Sequence, residues 1–206
     1  MASILLNLID RSNDSNNSSV VIFGKDVTAS TDEIAIAWQV IKNLGQGFTH
    51  PFTYDLGVSA AASDSYGNYS PRIPANVGSA FGMTIGTSGD VFAQKGEAAN
   101  PATVEVANDL PKGAINAQIY RSGKLFATKT NLAPGQKAVF EFKPTIWIGV
   151  VSQVEQGDVM NAAILSTINT EISLLGIAYA DIVMTGGGPG PSSTPFTFNL
   201  ENIKMV

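Results

Sequence analysis

The fold is decided by residues 114–154, which read AINAQIYRSGKLFATKTNLAPGQKAVFEFKPTIWIGVVSQV. From Ile115 to Ile119 apolar and polar residues alternate, as in a strand with one buried face. The dipeptide Ser122-Gly123 follows. Such a pair can form a two-residue turn between antiparallel strands, because glycine tolerates a positive φ. Residues 124–130 then run back, and together the two segments predict a β-hairpin.

A two-residue turn fixes which side chains of this hairpin face each other. Arg121 should lie opposite Lys124, and Ile119 should lie opposite Phe126 on the apolar face. A favourable cross-strand pair contributes about 0.2–1 kcal/mol, whereas like charges directly opposite each other destabilise. We therefore expect Ile119 and Phe126 to pack together, and the Arg121 and Lys124 side chains to splay into water.

The rest of the stretch continues the strand pattern. Pro134-Gly135 suits the centre of a type II turn, because proline fixes the first φ and glycine accepts the second, positive one. Residues 137–143 alternate again, and residues 145–154 are almost continuously apolar, as is typical of a strand covered on both faces. Turns every 8–12 residues predict an all-β protein with little helix. The predicted fold is an antiparallel β-sandwich of Greek-key or jelly-roll type with about ten to twelve strands.

The chain of 206 residues is long enough for one all-β domain with a full core. We predict a single domain over residues 1–206, with a subdivision near residues 96–113 as the alternative. Residues 31–45 and 159–175 fit both helical and strand periodicity. The first is predicted as a strand because its neighbours are strands, and the second because it is rich in β-branched residues.

Composition excludes several classes of function. The chain has no cysteine and one histidine, so disulfide frameworks, thiol catalysis and multi-histidine metal sites are excluded. A net charge of −5 with 14% charged residues argues against nucleic-acid binding. We expect a protein that is not an enzyme and needs no cofactor. Without a signal peptide or an apolar run of about 18 residues, a cytoplasmic or intracellular location is expected and a membrane partner is not.

The first functional hypothesis is a non-catalytic structural protein that self-associates into an ordered oligomer or a larger assembly. A weakly charged, β-rich chain has open strand edges and little repulsion between copies. The glycine-rich loop Gly186, Gly187, Gly188, Pro189 and Gly190 is the candidate assembly contact. This loop lacks the Gly-Lys-Ser/Thr of a phosphate-binding loop, and we expect it to have no regular structure. The predicted partner is the chain itself.

The alternative hypothesis is a carbohydrate-binding, lectin-like module. Aromatic rings can stack on the C–H faces of sugars while carboxylate and amide groups bind hydroxyls. The segment Asp64-Ser65-Tyr66-Gly67-Asn68-Tyr69 has this mixture. A surface loop of turn-forming residues is the competing interpretation. The candidate ligand-binding residues are Asp64, Tyr66, Asn68, Tyr69 and His50, although a histidine among aromatic residues is more often a packed side chain.

Two other segments have both a functional and an ordinary structural interpretation. Asp10 and Asp14 belong to the polar segment 10–19 and could bind a cation, but this composition is also that of a solvated hairpin loop. Residues 164–185 could form an amphipathic hairpin of a pore-forming β protein, the second alternative function. An ordinary half-buried hairpin has the same alternation.

Overall fold

The computed structural model describes residues 2–14, 16, 18–28, 35–168 and 170–206. The elements in chain order are β1 (Ser3–Asp10), β2 (Ser19–Phe23), β3 (Ala35–Ile36), β4 (Gln39–Ile41), β5 (Thr49–Asp55), β6 (Val58–Asp64), β7 (Ile73–Ala75), β8 (Ser79–Gly86), β9 (Gly89–Glu97), β10 (Val104–Asn108), β11 (Ile115–Arg121), β12 (Lys124–Leu132), β13 (Lys137–Phe140), β14 (Thr145–Val151), β15 (Val159–Met160), the helix α1 (Ala162–Thr167), β16 (Thr170–Ser173), β17 (Ile177–Gly187) and β18 (Thr194–Met205).

The chain divides into two compact units. The first unit comprises residues 1–24, 35–56 and 144–206, and the second comprises residues 25–34 and 57–143. Residues 96–113, where a subdivision was considered, lie inside the second unit. The expectation of a single domain stays a prediction.

The first unit is built from two four-stranded sheets. One has the strand order β18-β17-β1-β5, and the other has the order β16-β14-β2-β4. In the first of these sheets β1 pairs in parallel with β17 and antiparallel with β5. Trp38, which lies between β3 and β4, is fully buried and packs edge-on against Phe52 and Tyr54 of β5, with ring centroids 6.3 Å and 5.7 Å away. Burial of these aromatic side chains therefore helps to hold the unit together.

The second unit also has two sheets around one apolar core. Strands β12, β11, β6 and β7 are antiparallel neighbours in one sheet, and the other has the order β13-β10-β8-β9. Both sheets contribute alternate side chains to the core, as sandwich packing requires. Phe81 of β8 and Phe92 of β9 stack there at 5.6 Å, and Ile119 of β11 is fully buried in the same cluster.

The prediction of an all-β fold is confirmed. The eighteen described strands exceed the predicted ten to twelve, in part because residues 31–45 and 159–175, each predicted as one strand, contain two short strands each. Among the strand pairs whose register is described, β1–β17 and β8–β10 are parallel and the others are antiparallel. The predicted turns are present as well. Ser122 and Gly123 both have positive φ values of 50° and 75°, as a type I′ turn needs, and Gly135 has a φ of 82°.

The hairpin β11–β12 differs from its prediction in the strand register at Ile119 and in the burial of the Arg121 side chain. Arg121 does lie opposite Lys124, but a register shift after Ile119 places that residue opposite Ala127 rather than Phe126. Arg121 does not splay into water. It is buried, with its guanidinium carbon 4.5 Å from the ring centroid of Phe126. A cation on an aromatic face is attracted by the ring quadrupole, an interaction that strand alternation alone does not reveal.

The two ambiguous segments have different outcomes. Residues 31–34 lie outside the described residues, and the described remainder of 31–45 forms the strands β3 and β4. The strand prediction for 159–175 is wrong in its centre, where α1 separates β15 from β16. Asn161 caps this helix, because its side-chain oxygen accepts a hydrogen bond from the Ile164 N–H at 3.0 Å. The helix comprises Ala162–Thr167, where Ala and Leu favour a helix, whereas the β-branched Thr170 and Ile172 do lie in a strand, β16.

This helix also removes the basis for a hairpin over residues 164–185. Strand β16 pairs with β14, and β17 pairs with β1 and β18, so β16 and β17 belong to different sheets. In the described part of the chain, no helix is long and apolar enough to cross a membrane.

The glycine-rich loop is more regular than expected. Strand β17 continues through Gly187, and residues Gly190–Ser192 form a 3₁₀ turn. The Asn13 N–H donates to the Gly186 carbonyl oxygen at 2.8 Å, so a neighbouring segment of the same chain completes the ladder. The expectation of an irregular loop is therefore wrong, because glycines with positive φ serve here to continue the strand.

Candidate functional site

The candidate ligand-binding loop follows β6 and is held by one carboxylate. Asp64 Oδ1 accepts hydrogen bonds from the backbone N–H groups of Tyr66 and Asn68, both at 2.9 Å. Asp64 Oδ2 accepts one from Asn68 Nδ2 at 2.7 Å. These bonds, that from the Asn68 side chain foremost, lower the pKa of Asp64 below its usual value. The loop is therefore a defined structure with an ionised carboxylate at its base at neutral pH.

This loop forms one wall of a cleft of about 440 Å³ in the second unit. We call it the tyrosine cleft. Its lining residues come from the loop and from the hairpin β8–β9, and they are Asp64, Asn68, Tyr69, Ser70, Pro71, Met83, Asp90, Val91 and Phe92.

The tyrosine cleft has an apolar floor and a polar rim. Met83 and Phe92 are buried, and Phe92 is anchored by its stacking on Phe81. Tyr69, in contrast, leaves 67% of its surface exposed, and Asp90 is exposed at the start of β9. A concave site with an apolar base and a few polar groups around it is the usual design of a small-molecule site.

The structure brings some of the predicted ligand-binding residues together and leaves others apart. Asp64, Asn68 and Tyr69 line the tyrosine cleft, whereas Tyr66 does not line it and is 89% exposed. His50 belongs to the first unit, where it is exposed on β5 opposite Leu8. Asp90 could not be assigned to this site from the sequence, because its position beside the loop depends on how strands far apart in the chain pair.

The cation-site candidates are used in local turns. Asp10 is buried and its Oδ1 accepts the Ser12 N–H at 2.7 Å. Asp14 Oδ2 accepts the Ser18 N–H at 2.7 Å, and its Oδ1 accepts the Asn16 N–H. Such bonds are typical of aspartates that shape turns. Among the residues the structure describes, no three His, Asp or Glu side chains are grouped to hold a metal ion.

A second surface of interest is the outer edge of β18. This strand of twelve residues ends the sheet β18-β17-β1-β5 and pairs with β17 alone. Its pairing with β17 is continuous from Thr197 to Glu201 and irregular on both sides of that stretch. An open edge of this kind presents unpaired N–H and C=O groups to any extended segment that approaches it.

The tyrosine cleft and the β18 edge are thus the two surfaces with the clearest capacity to bind a partner. No family model, no curated protein and no solved structure matches the chain.

Proposed function

We propose that this chain is a non-catalytic structural protein that self-associates by pairing β18 with β18 of a second copy. The observation that carries the proposal is the open edge from Thr197 to Glu201, where the ladder with β17 is regular. Five residues are close to the usual length of a strand in a sheet. The non-catalytic part of the proposal rests on composition, because the chain has no cysteine thiol to act as a nucleophile and only one histidine to act as a general base.

Of the sheet edges in the described residues, β18 is the least protected. Strand β5, at the other end of the same sheet, contains Pro51, which has no N–H to donate. Strand β9 carries the exposed carboxylates Asp90 and Glu97, and charges on an edge oppose pairing. The other edge strands, which are β4, β7, β13, β15 and β16, have four residues or fewer.

The two charged side chains of β18 are already engaged within the chain. Glu201 forms an ion pair with Arg11, with 3.0 Å between Oε2 and Nη1. The Lys204 ammonium lies 5.2 Å from the ring centroid of Tyr179. Because both charges have partners within the chain, they repel an approaching strand less than unpaired charges would.

The regular part of the edge is complementary to itself in an antiparallel arrangement. With a two-fold axis at Asn199, Thr197 faces Glu201 of the second copy and Phe198 faces Leu200. No like charges are then directly opposite, and apolar residues meet across the new ladder. A two-fold contact of identical surfaces is the commonest route to a homodimer. It would join two four-stranded sheets into one of eight strands.

The test is association measured by light scattering and sedimentation from about 1 µM to about 1 mM, the range expected for a small interface. We expect a concentration-dependent dimer. Asn199→Lys would place two ammonium groups across the axis and weaken dimerisation at least about fivefold, from a repulsion of about 1 kcal/mol or more. Asn199→Ser should dimerise as the parent does, and so should Ser88→Lys, which adds the same charge in the exposed β8–β9 turn.

A strict monomer over the whole range contradicts the proposal. So does a dimer that Asn199→Lys does not weaken, because association would then use another surface. Far-ultraviolet dichroism of each variant checks that the β fold is retained, so that a loss of association is not a loss of structure.

A further inference from the structure

We propose that the tyrosine cleft binds a neutral oligosaccharide. This inference concerns a different surface from β18 and is independent of self-association. It rests on three observations in the second unit: an exposed aromatic ring at the rim, hydrogen-bonding groups around that ring, and the absence of cationic side chains from the lining.

The ring of Tyr69 supplies the stacking surface. With 67% of its surface exposed, it can lie against the C–H face of a sugar and gain the burial that it lacks in the free protein. The exposed apolar side chain of Val91 extends this wall, and the buried Met83 and Phe92 form the floor of the cleft. An apolar surface of this kind fits the C–H face of a pyranose ring better than it fits a charged ligand.

The hydrogen-bonding groups of the cleft are mainly acceptors. Asp90 and Asp64 offer carboxylate oxygens, and a carboxylate has about four acceptor positions in total. Asp64 uses Oδ1 twice and Oδ2 once within the loop, so part of its capacity is already taken. Asp90 is therefore the better partner for sugar hydroxyls, while Asp64 chiefly positions the loop.

The charge of the cleft selects against anionic ligands. None of its nine lining residues is Lys, Arg or His, and two are aspartates. A sulfate or carboxylate about 4 Å from one of these oxygens would be repelled by about 1 kcal/mol in water and more where solvent is excluded. Neutral hexose and N-acetylhexosamine units pay no such cost, so they are the expected class.

The loop is shaped for binding before any ligand arrives. Ser70 accepts the Ala62 N–H on its Oγ at 3.0 Å and donates its own N–H to the Ala62 carbonyl oxygen at 2.8 Å. Together with the Asp64 bonds, these contacts tie both ends of the loop to β6. A preorganised loop loses little conformational entropy on binding, which favours affinity.

The experiment begins with the intact chain on an array of neutral, sulfated and sialylated oligosaccharides, in calcium and again in EDTA. We expect binding to neutral oligosaccharides in both buffers. The strongest neutral binder is then titrated calorimetrically against Tyr69→Ala and Tyr66→Ala. Tyr66 is the matched control, because it lies in the same loop and does not line the cleft. Tyr69→Ala should weaken binding at least about tenfold, and Tyr66→Ala less than about twofold.

Asp90→Lys provides a second variant at an exposed position, in case Tyr69→Ala does not fold. It should also weaken the neutral oligosaccharide about tenfold, because a hydrogen-bond acceptor becomes a cation. The proposal is overturned by a blank array, by binding only to sulfated or sialylated sugars, or by equal effects of the two tyrosine variants. It is also overturned if the cleft binds polylysine instead, since the carboxylates would then mark a site for cationic peptides.

Discussion

The ion pair between Asp26 and Lys129 should contribute substantially to the free energy of unfolding of the second unit. Asp26 Oδ2 lies 2.9 Å from Lys129 Nζ, and the two side chains are 2% and 25% exposed. Asp26 Oδ1 accepts hydrogen bonds from the Thr28 N–H, the Thr28 hydroxyl and the Glu141 N–H. Lys129 Nζ also donates to the Val139 carbonyl oxygen. These contacts link the segment around Asp26 to strands β12 and β13.

Replacing Lys129 by Met keeps most of the side-chain volume and removes the charge. Asp26 then stays buried with three hydrogen bonds on Oδ1 and loses the cation beside Oδ2. Removing one partner of a fully buried pair costs about 3–5 kcal/mol. Because Lys129 is a quarter exposed and water reaches its side, we expect the free energy of unfolding to fall by about 2–4 kcal/mol.

The assay is urea unfolding of the parent, Lys129→Met, Asp26→Asn and the double variant. Asp26→Asn keeps an acceptor oxygen for the three hydrogen bonds, and the double variant carries neither charge. We expect the double variant to be more stable than the sum of the single losses predicts, by about 1 kcal/mol or more. Additivity within about 0.5 kcal/mol would refute the reasoning, because it would mean that the two charges do not interact.

Two further predictions concern the first unit. Gly186→Ala should lower the free energy of unfolding by about 2 kcal/mol or more, because the φ of Gly186 is +96° and a Cβ would collide with the Pro195 carbonyl oxygen. Urea unfolding measures this loss, and an unchanged free energy of unfolding would contradict the collision. The pKa of Asp181 is lowered below 3.8, first by a hydrogen bond from Asn202 and then by one from Tyr179. Its stabilisation is therefore present above pH 3.8 and is lost as the pH falls through the lowered pKa. Asp181→Asn should cost about 1–2 kcal/mol at pH 7 and almost nothing at the acid end of a pH series, whereas a cost that does not change with pH rules out this role.

Local patterns were sufficient for the strands and turns that decide the fold. The alternation around Ile119 and the Ser122-Gly123 turn could be recognised because both depend on residues a few positions apart. The same patterns did not predict the bulge or the Arg121 side-chain contact within this hairpin. Arg121 is drawn from water by the Phe126 ring, and a bulge after Ile119 changes the register by one residue. Alternation does not determine either feature.

The tyrosine cleft shows why a site is harder to predict than a strand. Its loop carries a local signature, since Asp, Asn, Gly and Tyr in one short segment indicate a turn with exposed rings. Its other wall comes from β8 and β9, whose position depends on the parallel pairing of β8 with β10 and on the core stacking of Phe81 with Phe92. Period-two alternation predicts on which face of the sheet a side chain lies, but it does not predict which strand is the neighbour. Asp90 therefore becomes a candidate only when the sheet order is known. Substitution of Asp90 tests whether both walls of the tyrosine cleft contribute to binding the same ligand.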